Sequence, residues 1–242
     1  MLTIKVSAID STNTFLRELH QKGLFTQNIC LVAQNQTKGR GQRGADWVSE
    51  PGKNLTFSLL LRDLKLPVKQ HFKLNAAVSL GLIKALKSFF HENLSIKWPN
   101  DILSGNHKIA GILIENVIKN RHIQDTIVGI GLNVNQEKFV ELPNAASLKS
   151  ISGKDFELES LLPHLSAEIE SSVLNCIDSS MEEILKKYHH HLFRKGEFSD
   201  FELPSGEVFT GLIIGVSQEG KLVIDTQNGK KEFMLKEVKM NY

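Results

Sequence analysis

Residues 38–54 read Lys-Gly-Arg-Gly-Gln-Arg-Gly-Ala-Asp-Trp-Val-Ser-Glu-Pro-Gly-Lys-Asn, too rich in glycine for a helix and too cationic for a core. Gly39, Gly41, Gly44 and Gly52 let the backbone bring N–H groups close to a ligand, while Lys38, Arg40 and Arg43 supply charge for a carboxylate or phosphate. Trp47 adds a flat face for stacking. The apolar run from Leu55 to Leu61 follows at once, so the loop is anchored to a buried strand rather than carried on a solvated tail. Two further segments set charges beside apolar runs. One is Lys97-Trp98-Pro99-Asn100-Asp101; the other is Lys108-Ile109-Ala110-Gly111-Ile112-Leu113-Ile114-Glu115, where Gly111 leaves room for close approach by a ligand. Arg40, Arg43, Lys97 and Lys108 are the cations available to chemistry that brings anions together.

The elements that must position these groups follow from periodicity. A helix is expected from 10 to about 22, capped by Asp10 or Ser11, with Phe15, Leu16 and Leu19 inward. Ser11, Thr12 and Asn13 then sit at its N-terminus, where free N–H groups and the positive dipole end suit polar ligand atoms. Residues 29–33 and 56–61 read as buried strands and 74–90 as an amphipathic helix. Strands follow near Ile96, over 109–115 and over 127–133, and helices over 157–177 and 181–194. Strands in the middle with helices flanking them imply an α+β fold with one main sheet. After Gly196 the texture changes to short strands at 207–216, 221–225 and 231–235, with Gln-Asn-Gly as a hairpin turn. That pattern predicts two domains, 1–195 and a small β-barrel over 196–242, the latter too small to fold securely alone.

Composition bounds the rest. A net charge of +2 over 242 residues does not compel a polyanionic partner such as duplex DNA. Cys30 and Cys176 both fall in apolar patterns, as buried thiols do in a reducing compartment. No secretory leader and no membrane span is read, which places the protein in the cytoplasm. His189, His190 and His191 fan out by about 100° each along a helix and cannot converge on one metal. They are expected on a solvated face, and no metal ligands are assigned.

Five motifs occur in a telling order: Ser11-Thr12-Asn13; Gln36 through Trp47; Lys97 to Asp101; Lys108 to Glu115; and Gly129-Ile130-Gly131-Leu132-Asn133-Val134. Together they resemble the biotin protein ligases, over nearly the whole chain. The resemblance implies a catalytic domain like that of class II aminoacyl-tRNA synthetases, a mixed sheet flanked by helices, with an SH3-like C-terminal β-barrel. It also implies ATP and Mg²⁺, with biotin as substrate, formation of biotinyl-5′-AMP, and transfer of biotin to a lysine of a biotin carboxyl carrier protein or domain of acetyl-CoA carboxylase. The enzyme is expected as a monomer or homodimer. Lys108 would reach the biotin carboxylate and the α-phosphate as the leading catalytic group. Arg40, with Gly39, Gly41, Gln42 and Arg43, would cover the acyl-adenylate. Trp47 and Asn133 would border the nucleotide; Ser11, Thr12, Asn13 and Gln36 would bind the ureido head; Lys97, Asn100 and Gly111 complete the binding set. Asp101 is either a helper for deprotonating the acceptor lysine or a residue that fixes the turn after Pro99. Many family members carry Arg where this chain has Gln42, and Arg or Asn where it has Ala45. Retention of the intermediate would then rest more on Arg40 and Arg43.

The enzymatic rival is lipoate or octanoyl transfer, which shares the catalytic fold but lacks the Gly-Arg-Gly loop and the Lys-Trp-Pro-Asn-Asp segment. The rival of another class is a biotin-responsive repressor, which needs a helix-turn-helix ahead of the catalytic domain. With Ser11 already in the site, only about ten residues precede it, so the monofunctional type and no specific DNA binding are expected.

Overall fold

The computed structural model describes residues 1–140 and 142–242, with the backbone alone at Arg43. Among these residues an eight-stranded mixed sheet is built from β1 (Leu2–Ile9), β2 (Ile29–Gln36), β3 (Leu55–Leu61), β4 (Leu66–Pro67), β5 (Leu94–Lys97), β6 (Asp101–Ser104), β7 (His107–Lys119) and β8 (His122–Leu132). The order is β1-β2-β3-β8-β7-β6-β5, with β4 added beside β8; β1 and β2 run parallel and the other pairs antiparallel.

Helices α1 (Thr12–Gln21), α2 (His71–Lys87), α3 (Leu148–Ser152), α4 (Leu158–Asp178) and α5 (Met181–His191) flank this sheet. Strand β3 shows how both faces are covered. All of its residues are buried, as a nearly continuous apolar run should be. Leu55, Phe57, Leu59 and Leu61 point into the larger core with Leu74, Val78 and Leu82 of α2 and Leu165 and Ile169 of α4. Leu60 points the other way, into a cluster with Leu16 of α1, Ile29, Leu31 and Ile127. Alternation on a pleated strand thus sends every second residue to α1 and the rest to the α2–α4 layer.

The C-terminal strands β9 (Phe198–Glu202), β10 (Val208–Val216), β11 (Leu222–Thr226), β12 (Gly229–Phe233) and β13 (Lys239–Asn241) form a second, antiparallel sheet in the order β12-β11-β10-β9-β13. The Asn-Gly signal is realised as a two-residue turn, with Thr226 paired to Gly229 and Gly229 at φ 88°. The pairing ends at β12 and β13, so the described residues form an open sheet where a closed barrel was expected. This sheet leans on the layer built around the main sheet: Trp98 Nε1 donates to the Gly220 carbonyl at 2.9 Å, and Val216 N–H donates to His189 Nε2 at 2.8 Å. His189 therefore faces inward, and His191 is also half-buried, which corrects the expectation of three solvated histidines. Cys30 and Cys176 are free and buried, as read from the sequence. No described helix is long and apolar enough to cross a membrane.

Candidate active site

The residues singled out from types and spacing converge on one end of the main sheet. A cavity of about 210 Å³ is lined by Ser11, Thr12 and Asn13 of α1, Gln36 of β2, Arg40, Gly41, Gln42 and Trp47 of the loop, Asn100, Asp101, Lys108 and Gly111. Ser11 is the N-cap of α1 in extended conformation, but its side chain makes no capping bond. The cap is supplied from β2 instead: Gln36 Oε1 accepts from Thr12 N–H at 2.8 Å and from its hydroxyl at 3.0 Å.

The loop folds into a small hairpin over this end. Gly41 N–H donates to the Ala45 carbonyl at 2.6 Å, Trp47 N–H donates to the Gly39 carbonyl at 3.0 Å, and Arg40 pairs with Asp46. Gly39 lies behind the cavity wall, packed so closely against the Trp47 backbone that a Cβ there would collide with it. The side chain of Arg43 lies outside the described residues.

Trp47 is seated by two glycines. Gly111 of β7 and Gly131 of β8 are directly paired across the sheet. A Cβ on Gly111 would stand 3.0 Å from the Trp47 ring, and one on Gly131 would overlap it. Gly129, two residues back on the same face of β8, leaves space in the same way for the Asn13 side chain.

Lys108 reaches this face through a register shift. Residues 108 and 111 are three apart and would ordinarily point to opposite faces of β7. The pairing with β6 slips between Ile102–Ala110 and Leu103–Lys108, a bulge at Ile109 that restores the parity. The Lys108 side chain consequently lies 3.5 Å from where a Gly111 Cβ would be, 5.6 Å over the Trp47 ring, and 2.7 Å from Asp101 Oδ1.

A second cavity of about 300 Å³ continues beyond Trp47 and Lys108, lined also by Asp46, Val48, Asn133, Phe139, Leu142, Ala145 and Tyr242. Asn133 is buried there, its amide donating to the Ala146 carbonyl at 3.0 Å. Trp47 and Lys108 border both spaces. Lys97 lines neither; its ammonium sits 4.7 Å over the Tyr242 ring. Burial pulls the Lys97 pKa below its usual value, Asp101 opposing and Lys108 adding to the shift. Asn100 contributes to the wall while donating to the Ile112 carbonyl at 2.8 Å.

Two polar atoms at the site, Gln42 Oε1 and Trp47 Nε1, are buried without a protein hydrogen-bond partner. A polar ligand would satisfy them. Sequence reasoning did not anticipate Ser58, which links Thr12 and Asn13 from inside an apolar strand, nor Leu235, Lys236 and Tyr242, which the C-terminal segment brings to the two cavities. A serine in an otherwise largely apolar buried run was the available signal for Ser58; the C-terminal contributions had none. The arrangement is one polar chamber able to read donors and acceptors, one flatter chamber beside an indole, and a primary ammonium at their junction.

A family model described as the biotin/lipoate A/B protein ligase family matches residues 6–133. A biotin–[acetyl-CoA-carboxylase] ligase of Mycobacterium tuberculosis is 26% identical over 223 residues, covering 91% of this chain and 82% of that protein. A bifunctional ligase/repressor BirA of Bacillus spizizenii is 27% identical over 237 residues, covering 96% of this chain and 72% of that protein. A biotin protein ligase from Aquifex aeolicus, solved in complex with biotin and ATP, superposes with a TM-score of 0.83 at 29% identity, covering 99% of this chain and 98% of that one.

Proposed function

Because the chain belongs to the biotin/lipoate A/B protein ligase family, we infer that it is an ATP-dependent biotin protein ligase, a biotin–[acetyl-CoA-carboxylase] ligase that passes biotin to a lysine of the carboxylase's carrier domain. The observation that carries this reading is Lys108 at the junction of the polar chamber and the chamber beside Trp47 and Asn133. Biotin's ureido head fits the first chamber, where Ser11, Thr12, Asn13 and Gln36 offer both donors and acceptors. A lipoyl head, with an apolar dithiolane ring, would leave those groups unpaired.

With the head so placed, the biotin carboxylate lies toward Lys108 and meets ATP whose adenine rests by Trp47 and Asn133. A carboxylate oxygen attacks the α-phosphorus, the bond to the bridging oxygen breaks, and pyrophosphate leaves. Lys108 offsets the repulsion between carboxylate and phosphate as they meet, and Arg40 with the loop N–H groups covers the mixed anhydride from water. Mg²⁺ belongs to the nucleotide as substrate and is held largely by phosphate oxygens; among the described residues no cluster of three His, Cys, Asp or Glu side chains stands ready for a metal. In the second half-reaction a neutral lysine amine of the carrier attacks the acyl carbon and AMP departs. Asp101, on the wall of the first chamber and 2.7 Å from Lys108, is assigned to help remove that amine's proton.

Residues 1–195 form the catalytic domain in this reading, and the open C-terminal sheet over 196–242 is an SH3-like module leaning on it. A cytoplasmic location suits its carrier substrate and its two free, buried cysteines. Biotin-dependent exchange of labelled pyrophosphate into ATP tests the first half-reaction. Exchange that requires biotin is expected; exchange driven equally by lipoate would contradict the assignment.

A further inference from the structure

We propose that Ser58, Glu115 and Arg17, none of which lines the head-group cavity, form a positioning network that decides which cavity atoms donate and which accept. The proposal rests on the reading of that cavity given above.

Ser58 is fully buried on the α1 face of β3, in a strand whose other side chains on that face are Thr56 and Leu60. Its Oγ lies 2.7 Å from Thr12 Oγ1 and 2.6 Å from Asn13 Oδ1. Asn13 Nδ2 lies 2.9 Å from one oxygen of Glu115, and Arg17, one turn along α1, pairs with the other. Thus the carboxylate touches the helix at i and i+4, the two positions that share a face.

Proton accounting fixes the polarity. A carboxylate only accepts, so Asn13 must turn its NH₂ toward Glu115 and its carbonyl oxygen toward Ser58. That oxygen also only accepts, so the single Ser58 hydrogen is committed to it. The Thr12 hydroxyl then has one hydrogen to share between Gln36 Oε1 at 3.0 Å and Ser58 Oγ at 2.7 Å, so toward a cavity ligand it can only accept. Gln36 Oε1 already receives the Thr12 N–H, so the Gln36 amide nitrogen, which lies beside Gly39, is the end left to donate. The cavity consequently offers a donor from Gln36 and an acceptor from Thr12. A cyclic urea, with one carbonyl and two N–H groups, matches that polarity; a ring bearing a protonated imine in place of the carbonyl does not. Gly129 keeps the space open, because a Cβ there would overlap Asn13 Oδ1.

The test compares Ser58→Ala, Glu115→Gln and Glu115→Leu with Thr12→Ala and Gln36→Ala, using biotin and 2-iminobiotin as alternative substrates. Ser58→Ala and Glu115→Leu are expected to raise the KM for biotin about tenfold or more, since buried polar atoms lose their partners. The KM for ATP should stay within about twofold, and the preference for biotin over 2-iminobiotin should narrow. Glu115→Gln retains an acceptor for Asn13 and should recover most biotin use. Glu115 is partly exposed, so its variants serve even if Ser58→Ala folds poorly. The network is overturned if Ser58→Ala and Glu115→Leu keep wild-type biotin KM and discrimination, or if both substrates' KM values rise in parallel. If Thr12→Ala and Gln36→Ala impair biotin use in that case, the cavity reading survives without the network. If none of the four variants does, both fall.

Discussion

Among single residues, Lys108 is central to the proposed chemistry. Its ammonium is held by Asp101 at 2.7 Å and stands where the two chambers meet. Lys108→Ala should lower biotinyl-adenylate formation by about 10² to 10³, the usual loss when one preorganised electrostatic contact to a developing charge is removed. The measurement is pyrophosphate release in a variant whose melting temperature matches wild type; near-normal release would take Lys108 out of its role. The identity of this lysine was legible from the motifs around it, since an isolated lysine at a strand end is more often simply solvated. Its direction was not. A side-chain period of two puts Lys108 on the wrong face from Gly111, and only the bulge at Ile109, a property of pairing with β6, turns it into the site. The Glu115 carboxylate was likewise visible at the end of its motif, but its partners Asn13 and Arg17 lie about a hundred residues away in sequence.

At the scale of the element, the glycines of β7 and β8 carry the loop. Gly111 and Gly131 form a flat cross-strand seat on which the Trp47 ring lies, so a methyl group on Gly131 must lift the indole. Gly131→Ala should raise the KM for ATP about tenfold while moving that for biotin less, because Trp47 borders the proposed nucleotide side whereas the proposed ureido contacts come from α1 and β2. Equal effects on both substrates in steady-state kinetics would contradict this seating. Helix α5 carries a pH dependence. Burial first, then Lys87 and His190, push the pKa of His191 down to about 4 from its ordinary 6.5. The folded protein then keeps His191 neutral where the unfolded chain takes up a proton, so its contribution to stability is complete above pH 6.5 and is lost as pH falls toward about 4. Melting temperature should decline across that window, and His191→Gln should flatten the decline; identical slopes would refute the assignment. Most long elements were legible, since α2 and α4 declare their periods and β3 is a nearly continuous apolar run. Strands β1, β4, β6, β9 and β13 and the short helix α3 were not read. β1 is an edge strand with mostly polar or half-exposed residues, and the others are too short to show a period.

At the scale of the whole molecule, two sheets share one site. The main sheet supplies both chambers, and the C-terminal segment adds Leu235, Lys236 and Tyr242 to their walls. That contribution was illegible because it depends on docking, through Trp98 to Gly220 and His189 to Val216, rather than on local pattern. The same docking explains why a sheet of this size persists without closing on itself: its apolar residues, Phe201, Ile213, Val216 and Ile224, join the main core. The central claim is that this whole assembly moves biotin onto one lysine of a carrier domain. Incubating the chain with biotin, ATP, Mg²⁺ and an acetyl-CoA carboxylase carrier domain, and following the carrier's intact mass, measures that directly. One added biotinyl group per carrier is expected, dependent on ATP and absent when the carrier's acceptor lysine is changed to Arg. No mass gain with biotin, alongside a gain with lipoate on a lipoyl domain, would contradict it.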